Sequence, residues 1–234
     1  MSDASLDGIA RRALEFVRPG TVLGLGTGRA ATAFVEELGR RVQAGLRVRG
    51  VPTSEVTAKL ARELGIPLLS LEDVEEIDVT FDGADEVDDR LDMIKGYGGA
   101  LVREKIVAAS SRERVMLIGA EKLVRRVGER GKLPIEVVPF GVPLARRRLG
   151  ALGLRPQVRD AGGKPYVTDN ANWILDCGLG PVEEPVALEE RILAIPGVLG
   201  TGFFLGMADR VLVQDGSEVK LLERPARKDR SHPA

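Results

Sequence analysis

The chain has 234 residues, with 34 Lys plus Arg against 35 Asp plus Glu, for a formal net charge of -1. Hydrophobic residues make up 44% and charged residues 29%, which excludes disorder and suits one large globular domain or two modest ones. Near-neutral charge and 4% aromatic residues exclude a general nucleic-acid binder and a base-stacking platform. The 28 glycines show no collagen period and point to tight turns and ligand loops. Cys177 is alone, so no internal disulfide forms, and with His232 it cannot make a zinc site; a small buried side chain is the expectation. The first residues, Met-Ser-Asp-Ala-Ser-Leu-Asp, hold no apolar signal core, and no apolar run is long enough to span a bilayer. No membrane association and a cytoplasmic location are expected.

Leu6, Ile9, Ala10, Ala13, Leu14 and Val17 fall at helical spacing, and Pro19-Gly20 stops that helix. Residues 21–25 read as a strand that runs into Gly24-Leu25-Gly26-Thr27-Gly28 and a helix over 29–42. A strand follows at 46–51. Thr53-Ser54 can cap a helix that reaches residue 64 and stops at Gly65 with Pro67 beyond. Strand 77–81 opens into the acidic loop 82–89. Next come the glycine loop Lys95-Gly96-Tyr97-Gly98-Gly99, a helix through 103–107 and a strand at 115–118. This alternation predicts βαβ units and a parallel sheet covered on both faces. After the polar stretch 128–132 the texture changes. Strands at 135–138, 157–159, 173–176 and 198–204, with helices at 142–152 and 185–194, read as a smaller α+β unit. Strands at 210–213 and 219–222 can return to the first sheet.

The loop after the first strand aims backbone N–H groups and a positive helix end at an anion, usually phosphate. Arg29 stands where a dinucleotide fingerprint needs glycine, residues 44–50 hold no Asp or Glu, and no Gly-Lys-Ser/Thr follows. The loop therefore suits a phosphate, not NAD or ATP, and a plain strand-to-helix turn is the alternative. Asp82 and Asp85 leave a strand at the sheet edge where α/β proteins bind ligands. Crowded carboxylates repel, which raises pKa values wherever some are buried and suits proton handling. A solvated acidic turn and a divalent-metal site are the other readings. Glu104 lies between Arg103 and Lys105, and on a helix these three point in different directions; an exposed charge cluster is the plain alternative.

In this order the motifs resemble ribose-5-phosphate isomerase, type A. The strings that carry the resemblance are Gly24-Leu25-Gly26-Thr27-Gly28, Thr53-Ser54, Phe81-Asp82-Gly83-Ala84-Asp85-Glu86, Ile94-Lys95-Gly96 with Gly98-Gly99-Ala100-Leu101, and Arg103-Glu104-Lys105-Ile106-Val107. It continues through Pro134-Ile135-Glu136-Val137-Val138-Pro139, Thr168-Asp169-Asn170, Ile174-Leu175-Asp176 and Ile195-Pro196-Gly197-Val198. The resemblance implies an α/β fold: a Rossmann-like parallel-sheet domain (1–129 plus 207–224), an inserted ferredoxin-like α+β domain (130–206) and a flexible tail (225–234). It implies interconversion of D-ribose 5-phosphate and D-ribulose 5-phosphate through a cis-enediolate, in the non-oxidative pentose phosphate pathway, with neither metal nor organic cofactor. By motif, Glu104 matches the base, Asp82 and Asp85 the acidic loop that contacts the sugar and relays hydroxyl protons, and Lys95 the cation beside the enediolate. Thr27, Gly28, Arg29, Ala30, Gly83, Ala84, Gly96, Tyr97, Gly98 and Lys122 match substrate-binding positions. The partners implied are a phosphosugar and further copies of the chain, as a homodimer or homotetramer. Two departures stand out. Arg29-Ala30 replaces a Ser-Thr pair and removes two hydroxyl donors, for which an Arg29 hydrogen bond to the phosphate can compensate. Tyr97 replaces a common glycine and either narrows the loop or faces solvent. The competing readings are a phosphosugar-sensing or acyl-CoA-handling domain of the same architecture, and a structural protein. A sensor would need a basic helix-turn-helix, for which there is no room before Thr21. A CoA transferase would need a larger pocket.

Overall fold

A computed structural model describes residues 6–224; the expected tail 225–234 lies outside the described residues, as do residues 1–5. In chain order the elements of the first part are α1 (Asp7–Leu14), β1 (Val22–Leu25), α2 (Arg29–Gln43), β2 (Arg49–Pro52), α3 (Glu55–Glu63), β3 (Ile77–Asp82), β4 (Glu86–Val87), β5 (Met93–Ile94), α4 (Leu101–Ala109) and β6 (Ser111–Gly119). They are followed by β7 (Lys132–Val137), α5 (Val142–Ala151), β8 (Arg155–Val158), β9 (Trp173–Gly178), α6 (Pro185–Leu193), β10 (Val198–Thr201), β11 (Phe203–Phe204), β12 (Arg210–Asp215) and β13 (Glu218–Glu223).

The first sheet has six strands in the order β13-β12-β6-β3-β1-β2. All neighbours are parallel except the β12–β13 edge hairpin. All of β1 is buried, and so is β6 from Arg114 on, as strands covered on both faces must be. Phe34 on α2 stacks on Phe81 of β3 with ring centroids 4.2 Å apart, both fully buried. Each such side chain stabilises the fold by about 1.5–3 kcal/mol through burial. Ser54 caps α3 by accepting from the Thr57 N–H at 3.1 Å, as its residue type predicts.

The second sheet has four antiparallel strands in the order β10-β7-β9-β8. With α5 and α6 the chain runs βαββαβ, the ferredoxin-like arrangement. Ile135, Val137, Ala145, Leu149, Leu175 and Ile192 form its core, and Cys177 is fully buried with them.

The expected strand 198–204 is divided. β10 pairs with β7, whereas β11 crosses into a third, three-stranded sheet with β5 and β4. The break is at Gly202, whose N–H donates to Pro134 O (2.7 Å) while its carbonyl accepts from the Lys95 N–H (2.9 Å). A side chain at Gly202 would fall on the Lys95 carbonyl oxygen, so glycine is required at this crossing. The acidic loop also differs from expectation: Glu86–Val87 is strand β4, and the Glu86 carboxylate accepts from the N–H groups of Gly128 (2.6 Å) and Arg130 (2.9 Å).

Candidate active site

Three loops that leave the first sheet converge at the carboxyl ends of β1, β3 and β6, where open α/β sheets bind ligands. They enclose a cavity of about 240 Å³. Thr27, Gly28, Arg29 and Ala30 line one side of it. Gly83, Ala84 and Asp85 line another, with Lys95, Gly96, Gly98 and Glu104 beneath and Lys122 at the rim. Asp82 and Tyr97 are not among the lining residues. Leu6, Leu117, Ile118, Gly119 and Glu121 are, although sequence reasoning passed them over. Leu117 and Ile118 belong to the strand expected at 115–118, whose apolar run signals core and not a site.

The centre of the site is one ammonium among carboxylates. Lys95 is 3% exposed, Asp82 2% and Glu104 5%. Lys95 Nζ lies 3.0 Å from Asp82 Oδ2 and 3.4 Å from Glu104 Oε1, and it also donates to the Gly83 carbonyl. Burial disfavours the Lys95 ammonium, but Asp82, Glu104 and Asp85 outweigh it and hold the group charged, above the usual lysine range. Asp82 Oδ1 accepts from the N–H groups of Thr27 (3.0 Å) and Gly83 (2.7 Å). Asp82 therefore fastens the first loop to the acidic loop and anchors Lys95 from behind. Gly26 makes this approach possible: a methyl there would sit 2.5 Å from the Asp82 Cα.

Glu104 lies in the first turn of α4. Burial, then repulsion from Asp82 and Asp85, pushes its carboxyl up to about 8 against the pull of Lys95. Its Oε2 is buried with no hydrogen-bond partner. Once ionised, a carboxylate so placed is a stronger base than an ordinary glutamate, and a group that titrates this close to neutral pH can both take up and return a proton. The triplet around it separates as helical geometry predicts. Arg103 bonds Glu55 Oε1 (2.9 Å) and Asn170 Oδ1 (2.9 Å), and Lys105 bonds Glu189 Oε1 (2.8 Å). Asp85 also lies above its ordinary range, raised by burial and held back by the Tyr97 N–H and by Lys95, Lys122 and Lys132.

At the other end of the cavity, α2 begins at Gly28 with no side-chain cap and no acidic residue in its first turn. Its leading N–H groups have no partners within the helix, which suits an anion. The Thr27 hydroxyl is committed inward: it donates to Ser54 Oγ (2.8 Å) and lies 2.8 Å from Thr53 Oγ1 and 3.2 Å from Thr57 Oγ1. Tyr97 does not line the cavity and is half-buried. Its ring carries the Lys132 ammonium at 4.0 Å from the centroid, and its hydroxyl donates to Lys132 O at 3.2 Å. Among the described residues no group of three or more His, Cys, Asp or Glu is arranged to hold a metal ion, since the Lys95 ammonium fills the space between the carboxylates. No helix among them is long and apolar enough to cross a membrane.

Residues 49–218 match the sequence profile of ribose 5-phosphate isomerase A (phosphoriboisomerase A). A protein named ribose-5-phosphate isomerase A from Roseiflexus sp. (strain RS-1) is 50% identical over 220 residues, covering 93% of this chain and 94% of its own. The structure of ribose 5-phosphate isomerase A from Methanocaldococcus jannaschii superposes with a TM-score of 0.89 at 38% identity, over 95% of this chain and 100% of the other. A D-ribose-5-phosphate isomerase in complex with phospho-erythronic acid gives a TM-score of 0.92 at 36% identity, over 96% and 100%.

Proposed function

The chain belongs to the ribose 5-phosphate isomerase A family, and on that premise we propose how its own residues interconvert D-ribose 5-phosphate and D-ribulose 5-phosphate. Glu104 removes the C2 proton of the open-chain aldose and returns it to C1. Lys95 steadies the negative charge that develops on the enediolate oxygens. Asp85, on the cavity wall with its carboxyl raised, moves a proton between O1 and O2 and assists ring opening. Asp82 does not line the cavity, so its part is to hold Lys95 and the two loops in register. The phosphate rests at the start of α2 against the N–H groups near Gly28, with Arg29 as the charged donor in place of the missing hydroxyls. Gly83, Ala84, Gly96 and Gly98 bring backbone close to the sugar, and Lys122 closes the rim.

The observation that carries this reading is the Glu104 carboxyl, buried and 3.4 Å from the buried Lys95 ammonium, on a cavity of sugar-phosphate size. Proton abstraction beside a carbonyl needs such a base, and a developing oxyanion needs fixed positive charge. Phospho-erythronic acid, held by a similar protein, is a four-carbon phosphorylated acid whose carboxylate resembles an enediolate in charge. Turnover in D₂O tests the route. On the enediolate path the proton held on Glu104 exchanges with solvent in part of the turnovers, so part of the ketose carries deuterium at C1; a product wholly free of it, with the C2 hydrogen retained, points to a hydride shift and overturns the scheme.

The proposal extends to the setting. We assign the chain to the non-oxidative pentose phosphate pathway in the cytoplasm, as a homodimer or homotetramer, with residues 130–206 forming a unit of their own inserted in the first domain. These assignments rest on the family resemblance. Sedimentation of the pure protein tests the assembly, where a monomer at working concentration would refute it.

A further inference from the structure

The second sheet contributes no residue to the cavity wall, yet it grips the glycine loop that does. Arg159, just beyond β8 and 11% exposed at its side chain, donates through one terminal nitrogen to the carbonyls of Gly96 and Tyr97, both at 3.1 Å. Its Nε and other terminal nitrogen pair with the two oxygens of Asp176 at 3.0 and 2.6 Å, a fork-on-fork contact that fixes the guanidinium plane. Tyr166 packs beneath it, with the guanidinium carbon 5.7 Å from the ring centroid. On the far side of the loop, the Tyr97 N–H donates to Asp85 Oδ2 at 2.9 Å. The Gly96 carbonyl and the Tyr97 N–H belong to one peptide unit, which is planar and trans, so the two groups point in opposite directions. Whatever fixes the carbonyl aims the N–H.

We propose that Arg159 is a positioning residue of the isomerase site: through the Gly96–Tyr97 peptide plane it orients the N–H that holds the Asp85 carboxyl against the cavity. A cation on the carbonyl also polarises the peptide and makes its N–H a stronger donor. Asp176 orients Arg159 and lies 4.0 Å from Lys132 Nζ, which rests on the Tyr97 ring. The second sheet thus holds this peptide by its carbonyl and by its side chain. The inference rests on the role given above to Asp85 and not on Glu104 being the base.

The test is a double-mutant cycle of Arg159→Met with Asp85→Asn, read in kcat and KM for ribose 5-phosphate, together with guanidinium rescue of Arg159→Ala. Arg159→Met should lower kcat about ten- to a hundredfold, the effect of a small misplacement of a reacting group, while KM stays near its normal value. In the Asp85→Asn background the same substitution should have far less effect, because both changes break one linkage. Guanidinium, well below denaturing concentration, should restore part of the kcat of Arg159→Ala, whereas a protein that had lost only stability would be harmed by it. Where Arg159→Met does not fold, Arg159→Lys keeps the charge and stem but not the fork, and it enters the same cycle. A folded variant with unchanged kcat, strict additivity with Asp85→Asn, or no rescue overturns the inference. Retained turnover in Glu104→Gln would overturn the base assignment instead, so the two failures are separable.

Discussion

Glu104→Gln keeps the shape of the side chain and removes its ability to accept a proton. The wild-type carboxyl is 5% exposed, with Oε1 3.4 Å from the Lys95 ammonium and Oε2 unpartnered. A positioned general base contributes about 10²–10⁴ in rate, or about 3–5 kcal/mol of barrier, and kcat should fall by that factor with the fold intact. Stability should respond in a second, independent way. Burial, aided by Asp82 and Asp85, raises the folded-state carboxyl from 4.5 to about 8. Between those values the folded protein keeps a proton that the unfolded chain has released. Folding stability therefore declines as pH rises from the lower value through the upper one. Glutamine does not titrate, so the variant lacks this part of the decline, which is on the order of a few kcal/mol between the two limits. Ketose formation from ribose 5-phosphate and urea unfolding at pH 5 and pH 9 measure both effects. A kcat within tenfold of the wild type would place the base elsewhere. Equal loss of stability between the two pH values in both proteins would mean that the carboxyl is not raised.

Lys95→Met strands Asp82 and Glu104 without their cation. Removing one partner of a buried pair costs about 3–5 kcal/mol, which urea unfolding at pH 8 should show, and the residual kcat/KM profile should move to higher pH because Lys95 no longer lowers the Glu104 carboxyl. Arg29→Ala should raise KM for the phosphosugar and leave kcat nearly unchanged; an unaltered KM would remove Arg29 from the phosphate site. The Cys177 thiol, fully buried and pushed up to about 12 by burial and then by Asp176, should ignore a thiol reagent until the chain is unfolded. Rapid labelling of the folded protein at pH 8 would contradict that placement.

Much of this was legible in the residues. Short apolar strands followed by glycine and amphipathic helices dictate a covered parallel sheet, and the boundaries moved mainly where a strand lengthened, as at Lys132–Val137. The charged loops are local strings, so Asp85, Lys95 and Glu104 could be found together before their distances were known. What escaped notice was of two kinds. Glu86–Val87 and Met93–Ile94 are two-residue strands, too short for alternation to register. The other kind is contact across the chain. Arg159 lies about sixty positions from the carbonyls it binds, and the division of residues 198–204 follows from what Gly202 must touch in two sheets. No spacing rule carries such information. Tyr97 escaped for the same reason: its side chain answers to Lys132, not to its neighbours in the loop.

The Glu104 oxygen left without a donor bears on speed as much as on basicity. A carboxylate in water must shed or realign solvent each time it takes up hydrogen, and that rearrangement adds to the barrier of every cycle. Here burial to 5% exposure removes most of that solvent once, when the chain folds. Glu104 lines the cavity while its Oε1 stays 3.4 Å from the Lys95 ammonium, so the tether sets how far the carboxylate can swing between adjacent carbons.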